Sequence, residues 1–435
     1  MIAIIRKSDL KGIIQAPSSK SSMQRALAAA FLTKETCGIF NPGTSNDDLA
    51  AINIIKSLGA KVEIIADKLV VINKEYDTGN TEINCGESGL SIRMFVPVAA
   101  LSLHPVVVTG EGSLLSRPMD FFDKVLPQLG IKVQSNKGKL PLTIHGPLQP
   151  ANIEIDGSLS SQFLTGLLMA YAGAKAANVS IKVNNLRSKP YIDLTLEVMK
   201  HFGLGNIENR NYEEFYFHPG SGKNVMHNYT VEGDWSGAAF LLVAGAIAGP
   251  VTIRGLDLTS SQGDKMIIEA LIQANAGVAI ETKGINVRPA EMKAFEFDAT
   301  DCPDLFPPLA ALAVYCTGTT VIKGVERLIY KESNRALAIK SELGKKGIAV
   351  ELEGDLMRIS GIKDIPAAFV DSHNDHRIAM MNTIIGLRSE GVTILHNAQA
   401  VSKSYPGFFS DMKKLDANIE IRESGFAEVF DDWEA

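Results

Sequence analysis

The sequence predicts an α/β protein made of two similar domains. The first indication is a short pattern of helix, small turn residue and strand that recurs six times. The second is the length of 435 residues, which exceeds what one hydrophobic core usually serves. Six units of roughly 70 residues suggest two domains of three units each. The turn residues of the six copies are Gly59, Gly130, Gly203, Gly277, Gly347 and Asp416.

The glycine in this pattern has a physical reason. After the last helical turn, glycine adopts a left-handed backbone conformation at little steric cost, so the chain leaves the helix and begins a strand. Residues 68–72 and 140–144 are predicted as further strands, so each unit should mix helices and strands. The crossing between the domains is expected just after Val231, before an apolar run.

Composition excludes several classes of protein. A hydrophobic fraction of 46% and a charged fraction of 21% are typical of a globular protein. The net charge of −6 argues against a general nucleic-acid binder. Arg6 and Lys7 interrupt the apolar start, which argues against a signal peptide, and the apolar run at 237–250 is too short for a membrane span. We therefore expect a cytoplasmic protein that binds neither nucleic acid nor membrane.

The cysteines show no ligand spacing. They are far apart, without a CxxC pair or a Cys/His cluster, so free thiols and no metal site are expected. They are Cys37, Cys85, Cys302 and Cys316.

Residues 17–27 form the first candidate anion site. Serines and two cations, Lys20 and Arg25, lie at the predicted start of a helix. Backbone N–H groups at a helix N-terminus favour negative charge, and the two cations can approach a phosphate or carboxylate from two sides. Taken alone, the stretch is explained equally well by a serine-capped surface helix with solvated charges.

Four later stretches repeat this arrangement of polar side chains beside glycines, a proline or a helix start. Each is also explained by an ordinary turn or helix cap, so none identifies a ligand alone. They are residues 85–93 with Arg93, residues 110–119 with Arg117 held extended before Pro118, residues 156–169 with Ser160, Ser161 and Gln162, and residues 188–193 with Ser188.

Acids and cations come together in the second half of the chain. Asp304 precedes an apolar segment and should lie at the end of an element. Lys331 and Arg335, four residues apart, are predicted on one helical face beside Glu332. So many cations in an acidic chain, with two acids among them, indicate polyanionic small substrates and proton transfer. Further cationic stretches are Asn374-Asp375-His376-Arg377, before a predicted helix, and residues 401–406 with Lys403, which end a strand-like run.

These motifs occur in one known family. The chain resembles the EPSP synthases (3-phosphoshikimate 1-carboxyvinyltransferases) of the shikimate pathway nearly from end to end. The matching motifs are Ser19-Lys20-Ser21 with Arg25, Arg117-Pro118, Ser160-Ser161-Gln162-Phe163-Leu164, Ser188-Lys189-Pro190-Tyr191, Gly233-Asp234, Gln262-Gly263-Asp264, Lys331-Glu332-Ser333 with Arg335, and Asn374-Asp375-His376-Arg377.

The resemblance implies a fold of two similar domains, each of three βαβαββ units in an inverse α/β barrel, with the active site in the interdomain cleft. It implies one domain of residues 19–231 and another of residues 1–18 with 232–435, in a monomer. The implied reaction transfers the enolpyruvyl group of phosphoenolpyruvate to the 5-hydroxyl of shikimate 3-phosphate and releases phosphate. No metal or organic cofactor is implied.

The resemblance also implies roles for individual residues. Asp304 would take the proton of the attacking hydroxyl, while Glu332 would give a proton to the methylene carbon and later remove one. Lys20 and His376 would assist the departing phosphate. The implied shikimate 3-phosphate contacts are Lys20, Ser21, Arg25, Ser160, Ser161, Gln162, Ser188, Asp304 and Lys331. The implied phosphoenolpyruvate contacts are Lys20, Gly89, Arg117, Gln162, Arg335, Arg377 and Lys403.

The chain departs from the family pattern within residues 86–93. Glu87 stands where the family usually has asparagine, and Leu90 where it usually has threonine. A negative charge near two anionic substrates and the loss of a hydroxyl are both expected to weaken binding.

Two alternatives remain open at this stage. The related transferases that act on UDP-N-acetylglucosamine have asparagine where this chain has Ser21, and cysteine where it has Gly112. A non-catalytic anion-binding descendant is suggested only by Glu87 and Leu90.

Overall fold

The structure is a computed structural model that describes residues 1–66, 68–72, 81–220 and 226–423. Strands and α-helices alternate along these residues, with short 3₁₀ turns among them. The strands are β1 (Ile2–Ile5), β2 (Gly12–Gln15), β3 (Cys37–Phe40), β4 (Lys61–Ile65), β5 (Lys68–Ile72), β6 (Thr81–Asn84), β7 (Val106–Thr109), β8 (Lys132–Ser135), β9 (Leu142–His145), β10 (Ile153–Asp156), β11 (Val179–Asn184), β12 (Ile207–Arg210), β13 (Glu214–Phe217), β14 (Asn228–Thr230), β15 (Val251–Arg254), β16 (Gly277–Glu281), β17 (Gly284–Arg288), β18 (Glu296–Asp298), β19 (Thr319–Lys323), β20 (Val350–Glu353), β21 (Leu356–Ser360), β22 (Phe369–Asp371), β23 (Thr393–His396) and β24 (Ile419–Arg422). The α-helices are α1 (Lys20–Thr33), α2 (Asn46–Ser57), α3 (Gly89–Ala99), α4 (Asp120–Val125), α5 (Ser161–Gly173), α6 (Lys189–His201), α7 (Trp235–Ala248), α8 (Ile267–Gln273), α9 (Phe306–Val314), α10 (Arg335–Lys345), α11 (His376–Gly386) and α12 (Phe408–Lys414).

The chain divides into two units. The N-terminal unit consists of Ser18–Glu232 and Thr259–Gln262. The C-terminal unit consists of Met1–Pro17, Gly233–Leu258 and Gly263–Ala435. Each unit has a large hydrophobic cluster of its own, as two independent cores require.

Six four-stranded sheets share one pattern of strand directions. In each, one neighbouring pair of strands is parallel and the other two pairs are antiparallel. This repetition confirms the predicted α/β class with two similar domains of three units. The strand orders are β14-β3-β5-β4, β6-β7-β9-β8 and β10-β11-β13-β12 in the N-terminal unit, and β2-β15-β17-β16, β18-β19-β21-β20 and β22-β23-β1-β24 in the C-terminal unit.

Three strands complete sheets far from their place in the chain. β1 lies antiparallel to both β23 and β24, and β2 lies parallel to β15, so the chain start belongs to the C-terminal unit. β14 completes the first sheet of the N-terminal unit, where it lies parallel to β3. These pairings provide hydrogen bonds to backbone groups that would otherwise be unpaired at a sheet edge, so they stabilise each unit.

Each unit contains three α-helices that are largely buried. α1, α3 and α5 lie in the core of the N-terminal unit, and α7, α9 and α11 in that of the C-terminal unit. α7 is buried along its whole length, as expected for a helix that is apolar all round. In α5, Gly166 permits close packing on α3, because an added Cβ would lie 3.0 Å from the Cα of Met94.

Five of the six predicted turn residues have the left-handed conformation that the pattern requires. The exception is Gly277, which begins β16, and in that copy Asn275 takes the left-handed conformation with φ of 64°. Asparagine tolerates this region better than most residues, so in this copy the left-handed residue lies two positions earlier in the chain. The other five are Gly59, Gly130, Gly203, Gly347 and Asp416.

The strand predicted at 68–72 coincides with β5, and the one predicted at 140–144 is displaced to β9. The four cysteines are all buried and unbridged, as expected. In the part of the chain that the structure describes, no helix is long and apolar enough to cross a membrane.

Candidate active site

The first anion motif forms the beginning of α1. Ser19 is the N-cap, and its hydroxyl accepts a hydrogen bond from the Ser22 N–H at 3.3 Å. Lys20 is therefore the first helical residue, so the helix begins within the predicted anion motif. Its Nζ donates to Oδ2 of Asp47 at 2.8 Å, and both side chains are mostly buried.

Arg25 lies one and a half turns into α1 and is buried. Its guanidinium donates to three neutral oxygens: Oγ1 of Thr195 at 2.8 Å, the Ser21 carbonyl at 2.8 Å and the Tyr191 carbonyl at 3.3 Å. Burial lowers the pKa of Arg25 to about 10. Among the described residues no carboxylate pairs with it, so a bound anion would supply the missing counter-charge.

Polar side chains also gather at the start of α5. Ser160 is the N-cap and accepts from the Gln162 N–H at 3.3 Å, while Ser161 is buried. Oε1 of Gln162 accepts from the Arg93 guanidinium at 2.9 Å, which orients both side chains. At the start of α6, Ser188 is buried and has a left-handed φ of 56°.

Gly89 and Arg117 are close neighbours. An added Cβ at Gly89, the first residue of α3, would lie 2.5 Å from NH1 of Arg117, so any larger residue there would displace the guanidinium. NH2 of Arg117 donates to Oγ of Ser113 at 3.2 Å. The backbone of Arg117 is extended, as predicted for a residue before Pro118.

Asp304 is surrounded by cations in the C-terminal unit. It lies in a 3₁₀ turn just before α9. Oδ1 accepts from Lys331 Nζ at 3.1 Å and from Arg335 NH1 at 2.8 Å, and Oδ2 accepts from Arg377 NH2 at 3.0 Å. Burial favours the protonated acid, but the three positive charges outweigh it and hold the pKa of Asp304 well below its usual range.

Arg335 joins three carboxylates. Besides Asp304, its guanidinium donates to Oε2 of Glu332 at 2.5 Å and, from Nε, to Oδ2 of Asp375 at 2.9 Å. Glu332 and Asp304, the two acids expected to transfer protons, are thus bridged by one guanidinium. The prediction that Lys331 and Arg335 share a helical face is wrong, because α10 begins at Arg335 and Lys331 lies in the preceding turn.

The start of α11 carries the next group. Asp375 is the N-cap and accepts from the Arg377 N–H at 2.9 Å. His376 is buried, with Nδ1 3.9 Å from Oδ1 of Asp375. Lys403 donates to the Asn374 carbonyl at 2.6 Å. The strand-like run predicted before Lys403 is β23, but it ends at His396, and residues Ala398–Lys403 form a 3₁₀ turn.

The structure therefore joins many of the predicted residues directly. In the C-terminal unit, Arg335 and Asp304 link Lys331, Glu332 and Arg377 into one cluster of charges. In the N-terminal unit, the contacts join the predicted residues only in pairs. Arg25 donates to the Ser21 carbonyl, Arg117 lies against Gly89, and the Gln162 N–H donates to Ser160.

Three acids with direct roles in this arrangement were missed from sequence. Asp375 belongs to the motif Asn374-Asp375-His376-Arg377, but the sequence does not show that it pairs with Arg335. Asp47, the partner of Lys20, carries no local signal, being 27 residues away. Asp264 is buried and accepts a hydrogen bond from the Ser236 hydroxyl, and burial raises its pKa to about 6. Its Gln262-Gly263-Asp264 motif was the available signal.

The C-terminal cluster has the parts for acid and base catalysis on an anion. Asp304 is held ionised, Glu332 is adjacent, and three cations around them can neutralise phosphate or carboxylate groups. The N-terminal unit supplies a buried guanidinium that no carboxylate of the described residues pairs with, and it also supplies hydroxyls at helix starts. Both features suit a second anion.

Known proteins are similar to this chain in sequence and in fold. A 3-phosphoshikimate 1-carboxyvinyltransferase of Clostridium novyi is 37% identical over 423 residues, covering 95% of this chain and 97% of that protein. One of Methanocorpusculum labreanum is 35% identical over 423 residues, covering 96% and 99%.

Solved structures agree. An EPSP synthase of Acinetobacter baumannii superposes with a TM-score of 0.80 at 25% identity, covering 97% of this chain and 99% of that one. The enolpyruvyl transferase NikO of Streptomyces tendae, at 18% identity, shares the fold with a TM-score of 0.76, covering 96% and 98%. The family model described as EPSP synthase (3-phosphoshikimate 1-carboxyvinyltransferase) matches residues 4–412. The chain belongs to the EPSP synthase family of transferases.

Proposed function

We propose that this chain transfers the 1-carboxyvinyl group of phosphoenolpyruvate to the 5-hydroxyl of shikimate 3-phosphate and releases phosphate. The observation that carries the proposal is the pair Asp304 and Glu332, bridged by Arg335 and flanked by Lys331 and Arg377. This pair offers one base and one acid beside enough positive charge for a substrate with several negative charges. Family membership supports the same reaction.

The proposed substrate contacts are divided between the two units. Shikimate 3-phosphate would bind through Arg25, whose buried positive charge pairs with no carboxylate in the described part of the chain, and through the hydroxyls at the starts of α1, α5 and α6. Phosphoenolpyruvate would bind through Arg117 beside Gly89 and through the cations around Asp304. The full sets are those given above: Lys20, Ser21, Arg25, Ser160, Ser161, Gln162, Ser188, Asp304 and Lys331 for the first, and Lys20, Gly89, Arg117, Gln162, Arg335, Arg377 and Lys403 for the second.

The first chemical step is an addition. Asp304 takes the proton of the 5-hydroxyl while the oxygen bonds to the central carbon of phosphoenolpyruvate, and Glu332 gives a proton to the methylene carbon, which becomes a methyl group. A general base and a general acid each contribute about 10²–10⁴-fold to such a rate.

Substrate binding itself would prepare Asp304 for this role. In the structure, Arg377, Lys331 and Arg335 donate to Asp304 and hold its pKa low, which makes it a weak base. The negative charges of phosphoenolpyruvate offset these cations, so the pKa of Asp304 rises toward the range of an effective base.

The second step is an elimination. Glu332 removes one proton from the methyl group, the double bond forms again, and the bond from carbon to phosphate oxygen breaks. Lys20 and His376 would assist the departing phosphate by charge and proton donation. The monomeric state and the cytoplasmic location stay predictions.

The test is phosphate release from phosphoenolpyruvate with shikimate 3-phosphate and, separately, with UDP-N-acetylglucosamine. We expect release with the first acceptor only. Release with the sugar nucleotide alone would replace the proposed acceptor. No release with either, from folded protein, would favour the non-catalytic anion-binding alternative.

A further inference from the structure

Glu87 lies in a loop that is tied closely to the segment carrying Arg117. The Cys85 N–H donates to the Thr109 carbonyl at 3.0 Å, and the Glu111 N–H donates to the Gly86 carbonyl at 2.7 Å. Nδ2 of Asn84 also donates to the Glu111 carboxylate at 2.9 Å. Residues 84–86 and 109–111 are therefore held side by side.

The Glu87 carboxylate adds a hydrogen bond to the turn that follows Glu111. Its Oε2 accepts the Ser113 N–H at 3.0 Å. The same carboxylate lies against Gly112, where an added Cβ would overlap with it and where φ is 51°. Gly112 thus leaves room for the carboxylate to reach the 3₁₀ turn Gly112–Ser116.

Ser113 passes the connection on to Arg117. Its backbone N–H is bound by Glu87, and its side-chain Oγ accepts from Arg117 NH2 at 3.2 Å. Arg117 is buried, and its NH1 lies against Gly89. The guanidinium is therefore held from one side by Ser113 and limited on the other by the start of α3.

We infer that Glu87 is a positioning residue that sets the affinity for phosphoenolpyruvate by fixing the turn that carries Arg117. This inference rests on the proposed function, in which Arg117 binds phosphoenolpyruvate. It reverses the expectation from sequence that a negative charge at position 87 weakens anion binding. The carboxylate is directed to a backbone donor, and its benefit as an acceptor exceeds the cost of its charge.

The two effects predict opposite results for Glu87→Ala. If Glu87 positions Arg117, the variant leaves the Ser113 N–H without this acceptor and loosens the turn, so KM for phosphoenolpyruvate rises about tenfold. The value of kcat and KM for shikimate 3-phosphate should stay within about twofold. If charge repulsion dominates, KM for phosphoenolpyruvate falls instead.

Two further variants separate the acceptor from the charge. Glu87→Gln removes the charge but keeps a carbonyl oxygen that can accept the Ser113 N–H, so it should restore KM to within about threefold of wild type. Glu111→Gln removes an equal charge from the same loop but keeps an oxygen that can accept from Asn84 and leaves Glu87 in place, so KM should be unchanged. A fall in KM in Glu87→Ala and Glu87→Gln together, or an unchanged KM in Glu87→Ala, would overturn the inference.

Amide hydrogen exchange of residues 112–117, measured without substrate, tests the positioning independently of activity. Exchange should be faster in Glu87→Ala than in wild type, and unchanged in Glu87→Gln and Glu111→Gln. Equal exchange in wild type and Glu87→Ala would overturn the inference. A wild-type protein without turnover would refute the proposed function, while the exchange measurement would still decide the role of Glu87.

Discussion

Nε of Arg335 donates to Oδ2 of Asp375 at 2.9 Å, and neither side chain is exposed. The remaining guanidinium nitrogens of Arg335 reach Asp304 and Glu332. Asp375 is also the N-cap of α11. It thus fixes the guanidinium that bridges the proposed base and acid, and the same carboxylate fixes the start of the helix that presents Arg377.

Asp375→Asn should destabilise the protein, because it leaves Arg335 buried with one fewer counter-charge. Breaking a buried ion pair costs about 3–5 kcal/mol, which would appear as a lower midpoint of urea unfolding. Asp298→Asn is the matched control, since Asp298 forms an exposed pair with Lys323 in the same unit. That change should cost less than about 1 kcal/mol. Equal midpoints for the two variants would contradict the central place of Asp375.

Arg25→Ala should weaken the binding of shikimate 3-phosphate. A hydrogen bond to a charged group is worth about 1.5–3 kcal/mol, so KM for shikimate 3-phosphate should rise about 10–100-fold. KM for phosphoenolpyruvate should change much less. Lys200→Ala, on an exposed position of α6, is the control and should leave both values unchanged. A rise in KM for phosphoenolpyruvate alone would contradict this assignment, because it would place phosphoenolpyruvate at Arg25 instead of shikimate 3-phosphate.

Gly89→Ala should raise KM for phosphoenolpyruvate by about tenfold or more, because the new methyl group displaces the Arg117 guanidinium. Steady-state kinetics with each substrate varied in turn would show it. Gly344→Ala is the control: its added Cβ meets nothing within 4 Å, and α10 should gain about 1 kcal/mol of helix propensity. Unchanged kinetics in Gly89→Ala would show that Arg117 moves aside without loss.

His373→Gln should change how stability depends on pH. The hydrogen bond from Nε2 of His373 to buried Glu342, 2.6 Å long, raises the pKa of His373. A raised pKa in the folded state adds stability that is fully present below the unfolded pKa of about 6.5 and is lost as pH rises through the folded value. The variant should therefore be less stable than wild type at acidic pH and should approach it at alkaline pH. His145→Gln, at an exposed position, is the control and should show no such trend. A difference between His373→Gln and wild type that is the same at all pH values would contradict this account.

The repeated architecture was predictable because its signals are local. A glycine that follows the end of a helix and a short apolar run that forms a strand are both visible within about ten residues, as at Gly59 and β5. The pairing of β1 with β23 and β24 is different, since it joins residues near the start of the chain, such as Ile2, to His396 and Arg422 and depends on which sheet has an unpaired edge. Only assembled sheets show that.

The site was predictable in its residue types but less so in its contacts. Lys331 and Arg335 suggested a helical face by their spacing, yet a turn precedes α10 and Lys331 reaches Asp304 from there. The partner of Lys20 and the direction of the Glu87 carboxylate depend on tertiary packing. The negative charge of Glu87 is evident from the sequence, whereas only the structure shows that its carboxylate accepts a hydrogen bond from the Ser113 N–H.

The most direct test of the account is the reaction of phosphoenolpyruvate with shikimate 3-phosphate in deuterium oxide, with the product examined by proton NMR. Addition through Glu332 places a solvent-derived deuteron on the methylene carbon, and elimination removes one of the three hydrogens of the resulting methyl group. Wild type should therefore give a product with deuterium at the vinyl carbon, and Glu332→Gln should form product more slowly by about 10²–10⁴-fold. A wild-type product free of deuterium, or a Glu332→Gln variant with a normal rate, would contradict the proposed role of Glu332.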